Sequence, residues 1–166
     1  MAADRSTEIA RIEAVNVRDV FPHEAGAFTK WLETNIDALT DSLELEIKHR
    51  EREKTVGDFK VDLYCEDTQG NRIIIENQLE KTNHDHLGKL LTYLVNLEAK
   101  VAIWVTPEPR HEHKKVIDWL NDNTPPEIAF YLVKVETIRI GNSPAAPLFT
   151  VLAGLNEQAK RFRAAK

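Results

Sequence analysis

The sequence has one cysteine, Cys65, among 166 residues. An intrachain disulfide is therefore excluded, and a lone thiol fits a reducing cytosol. No apolar run approaches the roughly 18–20 residues that a membrane helix needs. The opening MAADRSTEIARIEA carries charges where a signal peptide would carry an apolar stretch. The 6 glycines are dispersed, so no Gly-rich phosphate loop is present. Charge of one sign is not abundant: 22 Lys and Arg against 27 Asp and Glu leave a formal −5. That balance excludes a broadly basic coat for nucleic acid but not a local basic face. What remains is a chain with 42% hydrophobic residues, long enough to bury about two-thirds of its unfolded surface. It reads as a soluble, cytoplasmic protein with one domain over residues 1–150. A short amphipathic tail helix is expected over 151–166, carrying Leu152, Leu155, Ala159 and Phe162.

Periodicity supplies the elements. Residues 8–20 read as a short strand followed by a loop. Pro22 opens a helical stripe of Phe28, Trp31, Leu32, Ile36 and Leu39. Residues 43–54 switch to period two, with Leu43, Leu45, Ile47 and His49 facing one way. Strands over 59–66 and 72–78 flank Asp67-Thr68-Gln69-Gly70-Asn71. The turn is either a two-residue loop at Gln69-Gly70 or a three-residue loop with Gly70 left-handed. Thr82 with Asp85 resembles a capping box before a helix that buries Leu87, Leu90, Leu91, Leu94 and Leu97. KVAIWVT, residues 100–106, suits a strand covered on both faces. Pro109 starts another helix with Val116, Ile117 and Leu120 inside. Residues 128–140 give one long strand or two short ones, and 141–147 read as a loop. The order, β-α-β-β-β-α-β-α-β, is that of an α/β fold.

Asp62 and Glu76-Asn77-Gln78 lie on adjacent strands of that hairpin. With a three-residue loop, Asp62 stands opposite Glu76 and Lys60 opposite Gln78, all on one face. With a two-residue loop the two carboxylates point to opposite faces. If they share a face, their repulsion raises one pKa unless a cation intervenes, and hard oxygen ligands suit Mg²⁺ or Mn²⁺. Otherwise the two are ordinary solvent-facing strand residues. Glu76 follows Ile73-Ile74-Ile75, where an unpartnered carboxylate is costly.

GDFKVDLYCEDTQGNRIIIENQL followed by HDHLGKLLTYL resembles the core of the PD-(D/E)XK nuclease superfamily, the restriction-endonuclease-like fold. More narrowly it resembles a bacterial family of unknown function with a strand Asp, an E-N-Q strand and a D-H-L-G-[KQ]-L-L-T-Y helix. FPHEAGAFTKWL and IRIGNSP extend the likeness over most of residues 10–147. The resemblance implies an α/β fold with a central mixed sheet flanked by helices. It implies metal-dependent hydrolysis of phosphodiester bonds in nucleic acid, DNA foremost. Asp62 and Glu76 would hold Mg²⁺ or Mn²⁺, with the backbone carbonyl of Asn77 and Glu24 of the first helix as further ligands. Gln78 stands where the superfamily usually has lysine, and a neutral amide cannot supply a lysine's charge. Lys60 and Lys89 are candidates to compensate. Tyr93 shares a helix face with Lys89 and His86.

Two alternatives stand beside that reading. One is a nuclease-fold module whose Lys-to-Gln change removed catalysis and left recognition of nucleic acid or a protein partner. The other is an oligomerisation domain, which would show a large apolar surface on the 128–140 strand or the tail helix. The sequence is compatible with a homodimer and does not require one. Lys48, Arg50, Arg52 and Lys54 form a basic row that suits phosphate contacts, or a charged edge strand that blocks aggregation, the reading that an acidic chain favours. His84-Asp85-His86 and His111-Glu112-His113 lack helical zinc-ligand spacing. Cys65 reads as a small buried residue, and Trp31, Trp104 and Trp119 read as core.

Overall fold

A computed structural model describes residues 8–21, 25–155, 160–161 and 165. The chain forms β1 (Ile12–Val15) and the single turn α1 (Val17–Val20), then α2 (Ala25–Thr34) and α3 (Asp37–Thr40). Strands β2 (Ile47–Val56), β3 (Phe59–Asp67) and β4 (Arg72–Asn77) follow, then α4 (His84–Asn96) and β5 (Val101–Thr106). The chain continues through α5 (His111–Asn123), β6 (Ala129–Ile140) and β7 (Ala146–Ala153).

The seven strands make one mixed sheet in the order β1-β6-β5-β4-β3-β2, with β7 also paired to β6. β4, β5 and β6 run parallel, and the other pairings are antiparallel. Parallel neighbours need crossover connections, and α4 and α5 supply them. The sheet is buried from both sides. Phe28, Leu32 and Leu39 pack with Leu63, Ile73, Ile75 and Val133 on one face. Leu90, Leu94 and Ile117 pack with Tyr64, Ile74, Trp104 and Leu132 on the other. The isoleucine triplet of β4 thus splits between the two cores by simple alternation, which is why an apolar run leads to Glu76. All six residues of β5 are buried, as its unbroken apolar run requires. The expected α/β architecture, a mixed sheet flanked by helices, is the one observed.

Several local expectations need correction. Residues 17–20 are helical, with Asn16 Oδ1 accepting from Arg18 N–H at 2.8 Å, where a loop was expected. β2 begins at Ile47, because Asp41–Leu43 form a 3₁₀ turn that ends on Glu44 in the left-handed region (φ 55°). Residues 128–140 give one strand, β6, beginning at Ala129. Residues 151–153 end β7 rather than starting a helix: Phe149 and Val151 pack at period two against the α2-side core. Residues 160 and 161 are helical, and residues 156–159 and 162–164 lie outside the described residues. On α5, Ile117 is buried, but Trp119 is 61% exposed and is not core. No helix among the described residues is long and apolar enough to cross a membrane.

Candidate active site

The β3–β4 turn is settled by one side chain. Asp67 Oδ1 accepts from Gln69 N–H (2.8 Å) and Asn71 N–H (2.9 Å), while Gly70 N–H donates to Asp67 O (3.1 Å). Gly70 takes φ 82°, where a side chain is disfavoured. The loop is therefore Thr68-Gln69-Gly70, and the pairing runs from Glu66↔Arg72 to Leu63↔Ile75. One step further, that register brings Asp62 to Glu76.

At that step the backbone ladder stops and the two side chains replace it. Asp62 N–H donates to Glu76 Oε1 at 3.0 Å, and Asn77 N–H donates to Asp62 Oδ2 at 2.9 Å. Each carboxyl takes the backbone donor of the opposite strand, so both are anchored without a rigid side-chain partner. The other neighbour of β3 is interrupted at the same level. In β2, Glu53 has φ 53° and falls between the pairs Arg52↔Leu63 and Lys54↔Val61. The sheet face switches here: Leu63 packs with the α2-side core, whereas Val61 packs with the α4-side core.

Burial and mutual repulsion shape the electrostatics. Glu76 is 2% exposed, and desolvation together with the Asp62 charge pushes its carboxyl up to about 8. Desolvation also raises Asp62, partly offset by the Asn77 N–H bond. Both causes favour a proton on the pair as a whole, with Glu76 raised by the Asp62 charge as well as by desolvation. From α4, the Lys89 ammonium lowers both carboxyls. Its Nζ also lies 3.2 Å from Asp85 Oδ2. Tyr93 is buried, and its phenol is raised by burial and by the charges of Glu76 and Asp62. The His86 imidazole is lowered by burial and by Lys89. Asn83 Oδ1 accepts from both His86 N–H (2.9 Å) and His86 Nδ1 (3.1 Å), so Asn83, not Thr82, caps α4.

The remaining sequence candidates divide. Gln78 is buried, with Nε2 donating to Lys81 O at 3.1 Å and Oε1 without a hydrogen-bond partner among the described residues. Asn77 turns its side chain toward α2, where Nδ2 donates to Thr29 Oγ1 at 2.9 Å, leaving its backbone carbonyl as the group available to the site. Lys60 is not opposite Gln78. The β3–β4 ladder ends at Leu63↔Ile75, and Lys60 is exposed and paired to Thr55 of β2. Glu24 lies outside the described residues. The basic row is not one face: Arg52 Nε contacts Glu33 Oε2 of α2 at 3.1 Å, and Arg50 lines the same hollow. Lys54 instead lies 4.4 Å from the Tyr64 ring, on the α4 side. Lys48 falls at the pairing irregularity between Ile47 and His49. β2 is an edge strand, and its charges suit that position. Burial pushes the Cys65 thiol up to about 12, which removes it as a nucleophile.

Among the described residues, no cluster of three or more His, Cys, Asp or Glu side chains is arranged to hold a metal. The available ligand set is two carboxyls and the Asn77 carbonyl. Such a set of hard oxygens fits a cation that keeps several of its waters, as Mg²⁺ and Mn²⁺ do. The sequence also missed a contact: His84 Nδ1 lies 2.9 Å from His113 Nε2, and His113 Nδ1 lies 2.7 Å from Thr82 Oγ1. The two histidines are 29 residues apart and lie in the first turns of different helices, so no local spacing announces them.

No protein-family model and no curated protein matches the chain. Among solved structures, a repair endonuclease from Pyrococcus abyssi aligns with 61% of this chain and 44% of its own, at 21% identity and TM-score 0.48. EndoMS in a complex with dsDNA aligns over 55% of this chain and 39% of its own, at 17% identity and TM-score 0.46. SfsA from Pyrococcus furiosus, in complex with Ca²⁺, covers 78% and 62%, at 14% identity and TM-score 0.39. The chain thus spans about two-fifths of the length of the two endonucleases. At these identities and TM-scores, what those proteins bind and cut remains a statement about them.

Proposed function

We propose that this protein is a metal-dependent nuclease that hydrolyses phosphodiester bonds in nucleic acid, DNA foremost. The observation that carries the reading is the Asp62–Glu76 pair: a half-buried and a buried carboxyl brought together where two strands stop pairing, both raised by desolvation and both acted on by a lysine from α4. A structural role alone gives little reason to set two carboxyls side by side at a largely desolvated point. The E-N-Q form of the motif, Glu76-Asn77-Gln78, is consistent with this reading.

Asp62 and Glu76 would hold Mg²⁺ or Mn²⁺, together with the Asn77 carbonyl. Bound there, the ion supplies Lewis acidity toward a phosphoryl oxygen and lowers the pKa of a coordinated water. The chain's own residues do the rest. Gln78, its Nε2 anchored on Lys81 O, would position the attacking water by accepting a hydrogen bond at Oε1, the water keeping its proton. Lys89 leaves Asp85 to meet charge that develops on the phosphate, which costs little for an exposed ion pair. Tyr93, held protonated, donates a hydrogen bond on the same side. Lys60 has no part in this scheme.

A second reading follows from one residue. Because Gln78 is neutral and already tied to Lys81 O, the site could retain metal and nucleic acid without turnover. Nicking of supercoiled plasmid in Mg²⁺ or Mn²⁺ separates the two. Cleavage by wild type that disappears in Asp62→Ala supports the nuclease. Retained DNA binding with no cleavage of any substrate form favours the binding module.

A further inference from the structure

Away from the carboxyl pair, the starts of α4 and α5 form an open pocket of about 370 Å³ lined by Asn83, His84, Arg110, Glu112 and His113. Its wall is a connected run of hydrogen bonds. Thr82 is fully buried, and its Oγ1 accepts from Arg110 N–H at 2.9 Å. Thr82 Oγ1 also lies 2.7 Å from His113 Nδ1, and His113 Nε2 lies 2.9 Å from His84 Nδ1. Both ring nitrogens of His113 are thus engaged, and His84 is an exposed imidazole held through its Nδ1, with Nε2 on the far side of the ring.

Arg110 is fixed in the same way. Its Nε donates to Thr82 O at 3.0 Å, which orients the guanidinium and leaves its terminal amino groups as further donors. His113 is buried against Trp104, with ring centroids 5.3 Å apart, so it is held by packing as well as by hydrogen bonds. Glu112 is the one acid on the wall. Its carboxyl is held below the usual range mainly by its own backbone N–H, then by Arg110 and the flanking histidines. The pocket therefore presents a permanently charged guanidinium fixed through Nε and an imidazole held beside it, with one exposed carboxylate at its edge.

We propose that this pocket is an oxyanion subsite that takes a phosphate group through Arg110 and His84. Resting on the nuclease reading above, the occupant is a non-scissile phosphate of the nucleic-acid strand whose neighbouring phosphate meets Asp62 and Glu76. The first turn of α4 joins the two places: His84 belongs to the pocket, and His86, two residues on, feels the Asp62 charge. A planar guanidinium fork and an imidazole N–H together match phosphate oxygens better than either does alone.

The test uses the full chain without metal. Inorganic phosphate is titrated while the His84 and His113 ring resonances are followed by NMR, in wild type, Arg110→Gln, His84→Ala and Asp62→Ala. The expected result is saturable shifts at both rings and affinity reduced about tenfold in Arg110→Gln and in His84→Ala, the cost of one charge-assisted hydrogen bond. Affinity is unchanged in Asp62→Ala. Absence of saturable shifts in wild type overturns the subsite, as do shifts of equal affinity in Arg110→Gln. Thermal melts check that each variant folds; an Arg110→Gln variant that fails to fold is replaced by Arg110→Lys, which retains charge but loses the fork. A short single-stranded oligonucleotide is then titrated against phosphate-loaded protein. Displacement of phosphate supports the nucleic-acid occupant. Phosphate binding without displacement overturns that occupant while leaving the nuclease reading to the plasmid assay.

Discussion

Holding Glu76 beside Asp62 gives the metal-free protein a pH signature. In the folded chain the Glu76 carboxyl is pushed up to about 8, against an ordinary value of 4.5. Between those values the folded state holds a proton that the unfolded chain has released. Stability must therefore fall as pH rises through that window; below it the carboxyl is protonated in both states and contributes no pH dependence. A tenfold difference in proton affinity between folded and unfolded chain is worth about 1.4 kcal/mol. Two interacting carboxyls share the effect here, so the loss is on the order of a few kcal/mol. Glu76→Gln keeps the size and keeps an oxygen to accept from Asp62 N–H at the same place. It cannot ionise. Urea denaturation in EDTA, run from about pH 5 to pH 8, should show wild type losing stability steadily and the Gln variant losing much less. The lowered imidazoles of His86 and His113 work in the opposite sense, since they release protons on folding. They are common to both proteins and drop out of the difference. Parallel curves for the two proteins would refute the reasoning.

Other outcomes follow from the same geometry. Lys89→Ala should reduce plasmid nicking by roughly tenfold to a hundredfold, the weight of one charge at developing negative charge, whereas Lys60→Ala should leave the rate unchanged. Gly70→Ala, forced to φ 82°, should lower stability by about 1–2 kcal/mol in urea melts while the β3–β4 cross-strand NOEs persist, because Asp67 still bonds Gln69 and Asn71. Ile74→Ala, in the fully buried α4-side core, should cost about 2–5 kcal/mol. Cys65 should stay unreactive toward a thiol reagent until the protein is unfolded, as burial and a raised thiol both require.

Much of the architecture was legible because burial on two faces leaves apolar runs in β4 and β5, and because α4 carries a clean leucine stripe. The site was legible only as a choice. Asp62 and Glu76 stood out, but a turn of two or three residues fitted the sequence equally. The deciding contact, Asp67 Oδ1 on two backbone N–H groups, is a property of the folded turn. The expectation for Lys60 failed because the ladder was extended past Leu63↔Ile75, where carboxyls displace backbone partners. The basic row failed for a related reason: Glu53 in the left-handed region breaks the alternation between Arg52 and Lys54. β7 was hidden by Pro144, Pro147 and small residues, which mask its period. The His84–His113 contact is purely tertiary.

The central claim is that Asp62 and Glu76 form a divalent-cation site, and Mn²⁺ calorimetry tests it most directly. Measured near pH 7 in buffers of different ionisation enthalpy, wild type should bind one Mn²⁺ per chain and release about one proton, the one held by the carboxyl pair. Asp62→Ala should abolish binding, and Glu76→Gln should weaken it and remove the proton release. Absence of binding by wild type even with DNA present, or binding unaltered in Asp62→Ala, would contradict the account.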